Sequence, residues 1–241
     1  MVAGHKNVVL WFSGGKDSMA CLYLLKAYLP TITVLWVNTG KYYPELLATV
    51  TTAKAMCPHW IEIQSDREAQ WGQHGLPSDL VPIDWTLQGQ AFSHLKTITV
   101  QSYLQCCHDN LWVPMWTKTK ELGATLVIRG QRADDTHQSK GANGSSADGI
   151  LFWHPVEDWT RAQVLAYLTE QMGVLPEHYQ LDHSSMDCYD CTAFAAHSHD
   201  RVAYMQARHP ALYQDYHDKL TQLYQAMAEP MQHYKQLMGQ S

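Results

Sequence analysis

The chain has 241 residues, 46% of them hydrophobic, enough to bury one substantial α/β core with some length left for an appended element. A formal charge of −6 and a pI near 6.1 argue against a broad nucleic-acid-binding face, though not against a local basic patch. No apolar run is long enough to span a membrane, and the start Met1-Val2-Ala3-Gly4-His5-Lys6 lacks the apolar stretch of a secretion signal. A cytoplasmic protein with no membrane partner is the expectation.

In chain order, Val8 to Phe12 is a near-continuous apolar run, the pattern of a central strand in a parallel sheet covered on both faces. It leads directly into Ser13-Gly14-Gly15-Lys16-Asp17-Ser18 and a helix whose face includes Met19, Leu22, Tyr23 and Lys26, closed by Pro30. A strand running into a Gly-rich turn and a helix binds phosphate. Two glycines let backbone N–H groups approach an anion, the helix adds its positive end, and Ser13, Ser18 and Lys16 supply further donors. Asp17 reads equally well as a magnesium contact or as a first-turn acid favoured by the helix dipole. The spacing is not that of the ordinary P-loop. Ile32 to Val37 makes a second apolar strand and completes a βαβ unit, and Asn38-Thr39-Gly40 follows at its end, where open α/β sheets place ligand-contacting loops.

A helix over about Pro44 to Cys57 and a strand over Trp60 to Gln64 come next. Residues 66 to 95, rich in Gly, Pro and Trp, read as a lid or substrate loop. Trp112 to Leu122 reads as a helix ending at Gly123, and Thr125 to Ile128 as a buried strand. Arg129-Gly130-Gln131-Arg132-Ala133-Asp134-Asp135 then places two guanidinium groups at a strand end, suited to phosphate or sulfate. Ser139 to Gly149 is a flexible Ser/Gly stretch. Phe152 to Val156 reads as a last strand, Thr160 as a helix cap, and the residues after about His197 as mainly helical. There the stripe Leu212, Tyr216, Leu220 and Leu223 is a packing face.

Four of the six cysteines form two pairs: Cys106-Cys107, and Cys188-Tyr189-Asp190-Cys191 after a gap of 80 residues. Four thiolates are what a 4Fe-4S cluster requires, one per iron, and two remote pairs tie separate segments together. Structural zinc usually draws both pairs from Cys-x2–4-Cys loops, which an adjacent pair fits poorly, and disulfides are the remaining reading. Cys21 and Cys57 read as small core residues.

The phosphate loop resembles the PP-loop of ATP pyrophosphatases, which cleave ATP between its α and β phosphates. The loop, Asn38-Thr39-Gly40 with Pro44-Glu45, Gly130-Gln131-Arg132, and His154-Pro155-Val156-Glu157-Asp158-Trp159-Thr160 occur in the order of the phosphoadenosine phosphosulfate (PAPS) reductase family, which the chain resembles over about residues 7 to 195. The cysteine pattern is similar to the 4Fe-4S signature of the adenylylsulfate (APS) reductase branch. The resemblance implies an adenine-nucleotide α-hydrolase-like fold, a parallel twisted sheet with helices on both faces. It implies a nucleotide-binding domain over 1–197 with a helical extension over 198–241. The nucleotide would lie across the strand ends. Ser13, Gly14, Gly15, Lys16, Asp17 and Ser18 would surround its phosphates or sulfate, Asn38, Thr39 and Gly40 would lie near the nucleoside, Gly130 beside it, and Arg129 and Arg132 near the anionic end.

Sulfonucleotide reductases carry a nucleophilic cysteine in a Glu-Cys-Gly-hydrophobic-His tail, whereas no cysteine follows Cys191 in this sequence. The phosphate loop also keeps the complete ATP-pyrophosphatase form. Both features point to an ATP pyrophosphatase, with Lys16, Asp17, Arg129 and Arg132 as its reactive residues and Mg2+ at the phosphates. It would adenylate an acceptor for sulfur insertion. A reductase of APS or PAPS using an external thiol and a redox-sensing nucleotide-binding regulator are the alternatives. The partners expected are an adenine nucleotide, a sulfur-donor or thiol-reductant protein, a nucleic-acid acceptor and a second copy of the chain.

Overall fold

The computed structural model describes residues 1–92, 98–135, 141–180 and 188–239. Its strands are β1 (Val8–Trp11), β2 (Ile32–Asn38), β3 (Trp60–Gln64), β4 (Leu76–Ser78), β5 (Val100–Ser102), β6 (Leu126–Arg129), β7 (Ser146–Ala147) and β8 (Ile150–Trp153). The helices are α1 (Lys16–Leu24), α2 (Pro44–Met56), α3 (Arg67–His74), α4 (Leu87–Gln90), α5 (Tyr103–Cys107), α6 (Val113–Glu121), α7 (Arg161–Met172), α8 (His199–Arg208) and α9 (Pro210–Leu237). These elements fall into two compact units, one of residues 1–65 and 113–187, the other of residues 66–112 and 188–241. The units interleave along the chain.

The first unit is built on a six-stranded sheet in the order β3-β2-β1-β6-β8-β7, parallel except for β7 against β8. The apolar runs read from the sequence supply its centre: Leu10, Val34, Leu35, Leu126, Val127 and Ile128 are fully buried. This is what a sheet covered on both faces demands. Successive strands run outward from β1 to β3 on one side, then outward from β6 to β8 on the other. The order therefore reverses between β1 and β6, and such a switch point opens a crevice beyond the strand carboxyl ends. The last strand is shorter than expected at its end, because Pro155 cannot donate to a ladder and β8 stops at Trp153. Thr160 caps α7 as expected, in a reciprocal capping box with Gln163.

The second unit holds the main correction to the sequence reading. Residues 66–92 form regular elements where a loop is expected. Asp66 caps α3 by accepting from the Ala69 N–H, and β4 pairs in parallel with β5. The Gly and Pro residues that suggested a loop only punctuate these short pieces. α5 ends in the cysteine pair and runs into a π-type turn over His108–Trp112. Helices α8 and α9 pack on each other, with Tyr216 and Leu223 of the expected stripe buried. Residues 93–95 of the expected loop, and Ser139 and Lys140 of the Ser/Gly stretch, lie outside the described residues.

Candidate functional site

At the switch point the loop after β1 is held in place mostly by its own hydroxyls. Ser18 Oγ donates to the Gly15 carbonyl at 2.9 Å and accepts from the Ser13 N–H at 3.3 Å, while the Gly15 N–H donates to Ser13 Oγ at 3.2 Å. Gly14 has φ of +86°, the left-handed region that favours glycine, and a Cβ there would press on the Leu46 side chain at 3.2 Å. Gly15 has an ordinary φ of −70° and would bring a Cβ only against Ser13 Oγ. Its place at the head of α1 exposes the first-turn N–H groups of Lys16, Asp17 and Ser18, which have no partner within the helix. Tyr179, which sequence reasoning did not single out, donates its hydroxyl to the Gly14 carbonyl at 2.9 Å and closes the loop from behind.

The loop after β6 meets this turn directly. In the pairing of β1 with β6, Trp11 stands opposite Arg129, and a Cβ on Gly130 would lie 2.4 Å from the Asp17 carbonyl carbon and the Ser18 nitrogen. Only a glycine lets the two backbones approach so closely. Arg132, buried, spreads its fork over three carboxylates: Nε on Asp17 at 2.9 Å, Nη1 on Asp134 at 2.6 Å and Nη2 on Asp135 at 2.9 Å. The other oxygen of Asp17 takes Lys16 Nζ at 2.9 Å. The structure thus brings Lys16, Asp17 and Arg132 together as one ion-pair chain, with Arg132 turned to the protein's own carboxylates.

Arg129 lies over the Trp11 ring at 5.2 Å, and burial pulls its guanidinium down to about 10, which leaves it charged at neutral pH. The buried His154 is held below the ordinary histidine value by burial and then by the Arg129 charge, against Glu157. At the end of β2, Asn38 accepts the Gly40 N–H at 2.9 Å and donates to Glu62 at 2.8 Å, fixing an Asx turn, while Thr39 is buried. Every residue named for the nucleotide, from Ser13 to Gly130, belongs to the first unit.

All four paired cysteines belong to the second unit. Cys106 is buried and accepts from Trp71 Nε1 at 3.1 Å and from the Asn110 amide at 3.7 Å. Burial pushes Cys106 and Cys191 up to about 11; Cys106 is raised further by the charge of Cys188, and Cys191 by that of Cys106. Arg201 staples the Cys-x-x-Cys turn, donating to the Cys188 carbonyl at 3.1 Å and the Cys191 carbonyl at 2.9 Å. Among the described residues no three His, Cys, Asp or Glu side chains are arranged to hold a metal ion. Cys21 and Cys57 are core residues, as expected. Both are buried, and burial raises both thiols, Cys57 to about 11.

Among the described residues no helix is long and apolar enough to cross a membrane. Over 77% of this chain and 83% of the other, the fold is similar to the phosphoadenylyl-sulfate (PAPS) reductase of Candida auris, solved as a phosphate complex, with 19% identity and a TM-score of 0.52. It is also similar to the NMN synthetase of Francisella tularensis over 78% of this chain and 69% of that one (15% identity, TM-score 0.45). The NH3-dependent NAD synthetase of Campylobacter jejuni is similar over 90% of this chain and 84% of that one (14% identity, TM-score 0.45). No curated protein matches the sequence. The phosphoadenosine phosphosulfate reductase domain matches residues 7–194, and the chain belongs to that family of nucleotide-using enzymes.

Proposed function

We propose that the protein is an ATP pyrophosphatase that adenylates an acceptor oxygen, releases diphosphate and so prepares that position for sulfur substitution. The observation that carries this reading is the complete Ser13–Ser18 loop at the sheet's switch point, locked from below by Gly130. Cleavage between the α and β phosphates develops negative charge on the departing diphosphate. N–H groups at the head of α1 meet that charge with fixed dipoles, and Lys16 adds a cation at its edge. Arg129 offsets charge on the α-phosphate. Arg132 holds Asp17, and through it the first turn of α1, in register with the loop after β6. Asn38, Thr39 and Gly40 supply a rigid turn for the nucleoside.

Magnesium does not fit at Asp17 in this arrangement, since both carboxylate oxygens already face cations, and no step is routed through it. The paired cysteines of the second unit are the candidate ligands of a 4Fe-4S cluster by their number and chemistry alone, since no three metal-binding side chains among the described residues are placed to hold a metal ion. Two N–H donors point at Cys106 Sγ, and a cation staples the Cys188–Cys191 turn. Cys106, Cys107, Cys188 and Cys191 would hold it, and it would supply an electron reservoir and an iron site for sulfur.

The family match favours a second reading, a sulfonucleotide reductase that takes its attacking thiol from another molecule. Anaerobic protein incubated with ATP, APS or PAPS separates the two when diphosphate and sulfite are assayed separately, with tRNA and DNA pools as acceptors and thioredoxin as thiol. Diphosphate from ATP is the expected result. Sulfite from APS or PAPS with no ATP cleavage replaces it by the reductase.

A further inference from the structure

Behind the phosphate loop lies a buried hydroxyl that no step above employs. Tyr179 sits in the short 3-10 turn Glu177–Gln180, only 3% exposed, and its backbone is fixed on both sides. Its N–H donates to the Pro176 carbonyl at 3.0 Å, and its own carbonyl accepts from Arg161 Nη2 at 3.0 Å. The ring meets that of His178 edge-on, with centroids 4.5 Å apart. From this frame the hydroxyl reaches a partner 165 residues away in the chain, the Gly14 carbonyl, at 2.9 Å. Burial chiefly, with the charge of Asp17 adding to it, pushes the hydroxyl upward, so it stays protonated and remains a donor.

The carbonyl it holds belongs to the peptide between Gly14 and Gly15, the least restrained link in the loop. Turning that peptide over changes ψ of Gly14 and φ of Gly15 together, and two glycines tolerate both excursions. A trans peptide directs its N–H opposite to its C=O. With the carbonyl turned back to Tyr179, the Gly15 N–H faces the other way, where Ser13 Oγ accepts it at 3.2 Å. The reversed peptide would present a carbonyl oxygen on that side, and an oxygen repels the phosphate that an N–H attracts. We infer that Tyr179 is a positioning residue that latches the Gly14–Gly15 peptide with its N–H toward the phosphates of the nucleotide. The inference deepens the nucleotide reading above and rests on it. The hydroxyl acts without touching the phosphates, because it binds the opposite end of the peptide that meets them.

The test compares the full chain with Tyr179→Phe, which keeps the ring against His178 and removes only the hydroxyl. Isothermal titration with ATP and with inorganic diphosphate should show each bound about tenfold more weakly by the variant, the effect of losing one buried hydrogen bond on the loop. The second readout needs no ligand. In amide magnetic-resonance spectra of protein labelled with heavy nitrogen at glycine, the Gly15 signal is assigned by its disappearance in Gly15→Ala. That signal should shift or broaden in Tyr179→Phe, while glycine signals remote from the loop keep their places. Wild-type affinity of Tyr179→Phe for both ligands overturns the inference. So does an unmoved Gly15 signal, and so does a variant whose glycine signals collapse throughout, which would mark the tyrosine as a strut of the fold. Unmutated protein that binds neither ATP nor diphosphate overturns the nucleotide reading and this inference together, and that failure is recognisable because it precedes any substitution.

Discussion

The two compact units build their chemistry in opposite ways. In the first, six contiguous residues, Ser13 to Ser18, make nearly the whole of the proposed phosphate cradle, and the sheet needs only to present it at a switch point. In the second, the paired cysteines are brought in from 66–112 and 188–241, with a two-stranded ladder as its only sheet among the described residues. Precision there comes from buried charge: Arg67 on Asp190, and Arg201 on the carbonyls of Cys188 and Cys191. Backbone geometry specifies one site and side-chain electrostatics the other, so the two should fail separately and for different reasons.

Gly130→Ala should break the first unit most severely. Its Cβ would fall 2.4 Å from main-chain atoms of Asp17 and Ser18, and backbone cannot swing aside as a side-chain end can. ATP affinity should drop by about a hundredfold, as several N–H contacts are misplaced at once. Isothermal titration with ATP, alongside iron analysis, checks the comparison: lost affinity with unchanged iron keeps the sites independent, and full ATP affinity refutes the backbone account.

Cys188→Ser is the matching blow to the second unit. Anaerobic protein should lose most of its visible absorption and iron while binding ATP as before. Purified wild type with stoichiometric zinc and no iron or sulfide would defeat the cluster assignment itself. Arg132→Ala sharpens the comparison further by testing charge inside the backbone-built unit. It leaves Asp17, Asp134 and Asp135 facing one another with their shared cation gone, which should cost about 3 kcal/mol in chemical denaturation. Arg132→Lys keeps the charge but not the fork and should recover only part of it. An Arg132→Ala protein as stable as wild type would leave Asp17 without its proposed anchor.

The same contrast explains what the sequence revealed. Strands Val8–Trp11, Ile32–Asn38 and Trp60–Gln64 were legible because each is a short apolar run bounded by turn residues, and the turn from Ser13 into α1 because its residues are neighbours in the chain. Gly130 was visible as part of Gly-Gln-Arg, but not its reason, since the clash it avoids lies more than a hundred residues away. Arg132 shows the limit of reading charge type alone. A guanidinium after a strand suggests an anion, and only the fold shows that Asp17, Asp134 and Asp135 occupy it. Arg67 and Trp71 sat in a segment that composition described as a loop. No local pattern announces an ion pair with Asp190 or a hydrogen bond to Cys106 from so far along the chain.

The smallest expected effect concerns acid, and it assigns pH sensitivity to the first unit. His154 and His178 are both buried there, and burial lowers each of them, with Arg129 adding to it at His154 and with Glu157 and Glu45 opposing. Their folded values lie below the ordinary 6.5, so the unfolded chain binds these protons more readily than the folded one. Their contribution is therefore intact above pH 6.5 and is lost as pH falls through the folded values, at a slope of no more than about 1.4 kcal/mol per pH unit for each group. Unfolding midpoints should be flat from pH 8 to 7 and decline below 6.5, with His154→Asn and His178→Phe each flattening the decline relative to its own neutral-pH midpoint. A decline of the same steepness in the double variant would place the acid-sensitive groups elsewhere and refute the assignment of pH sensitivity to these two histidines of the first unit.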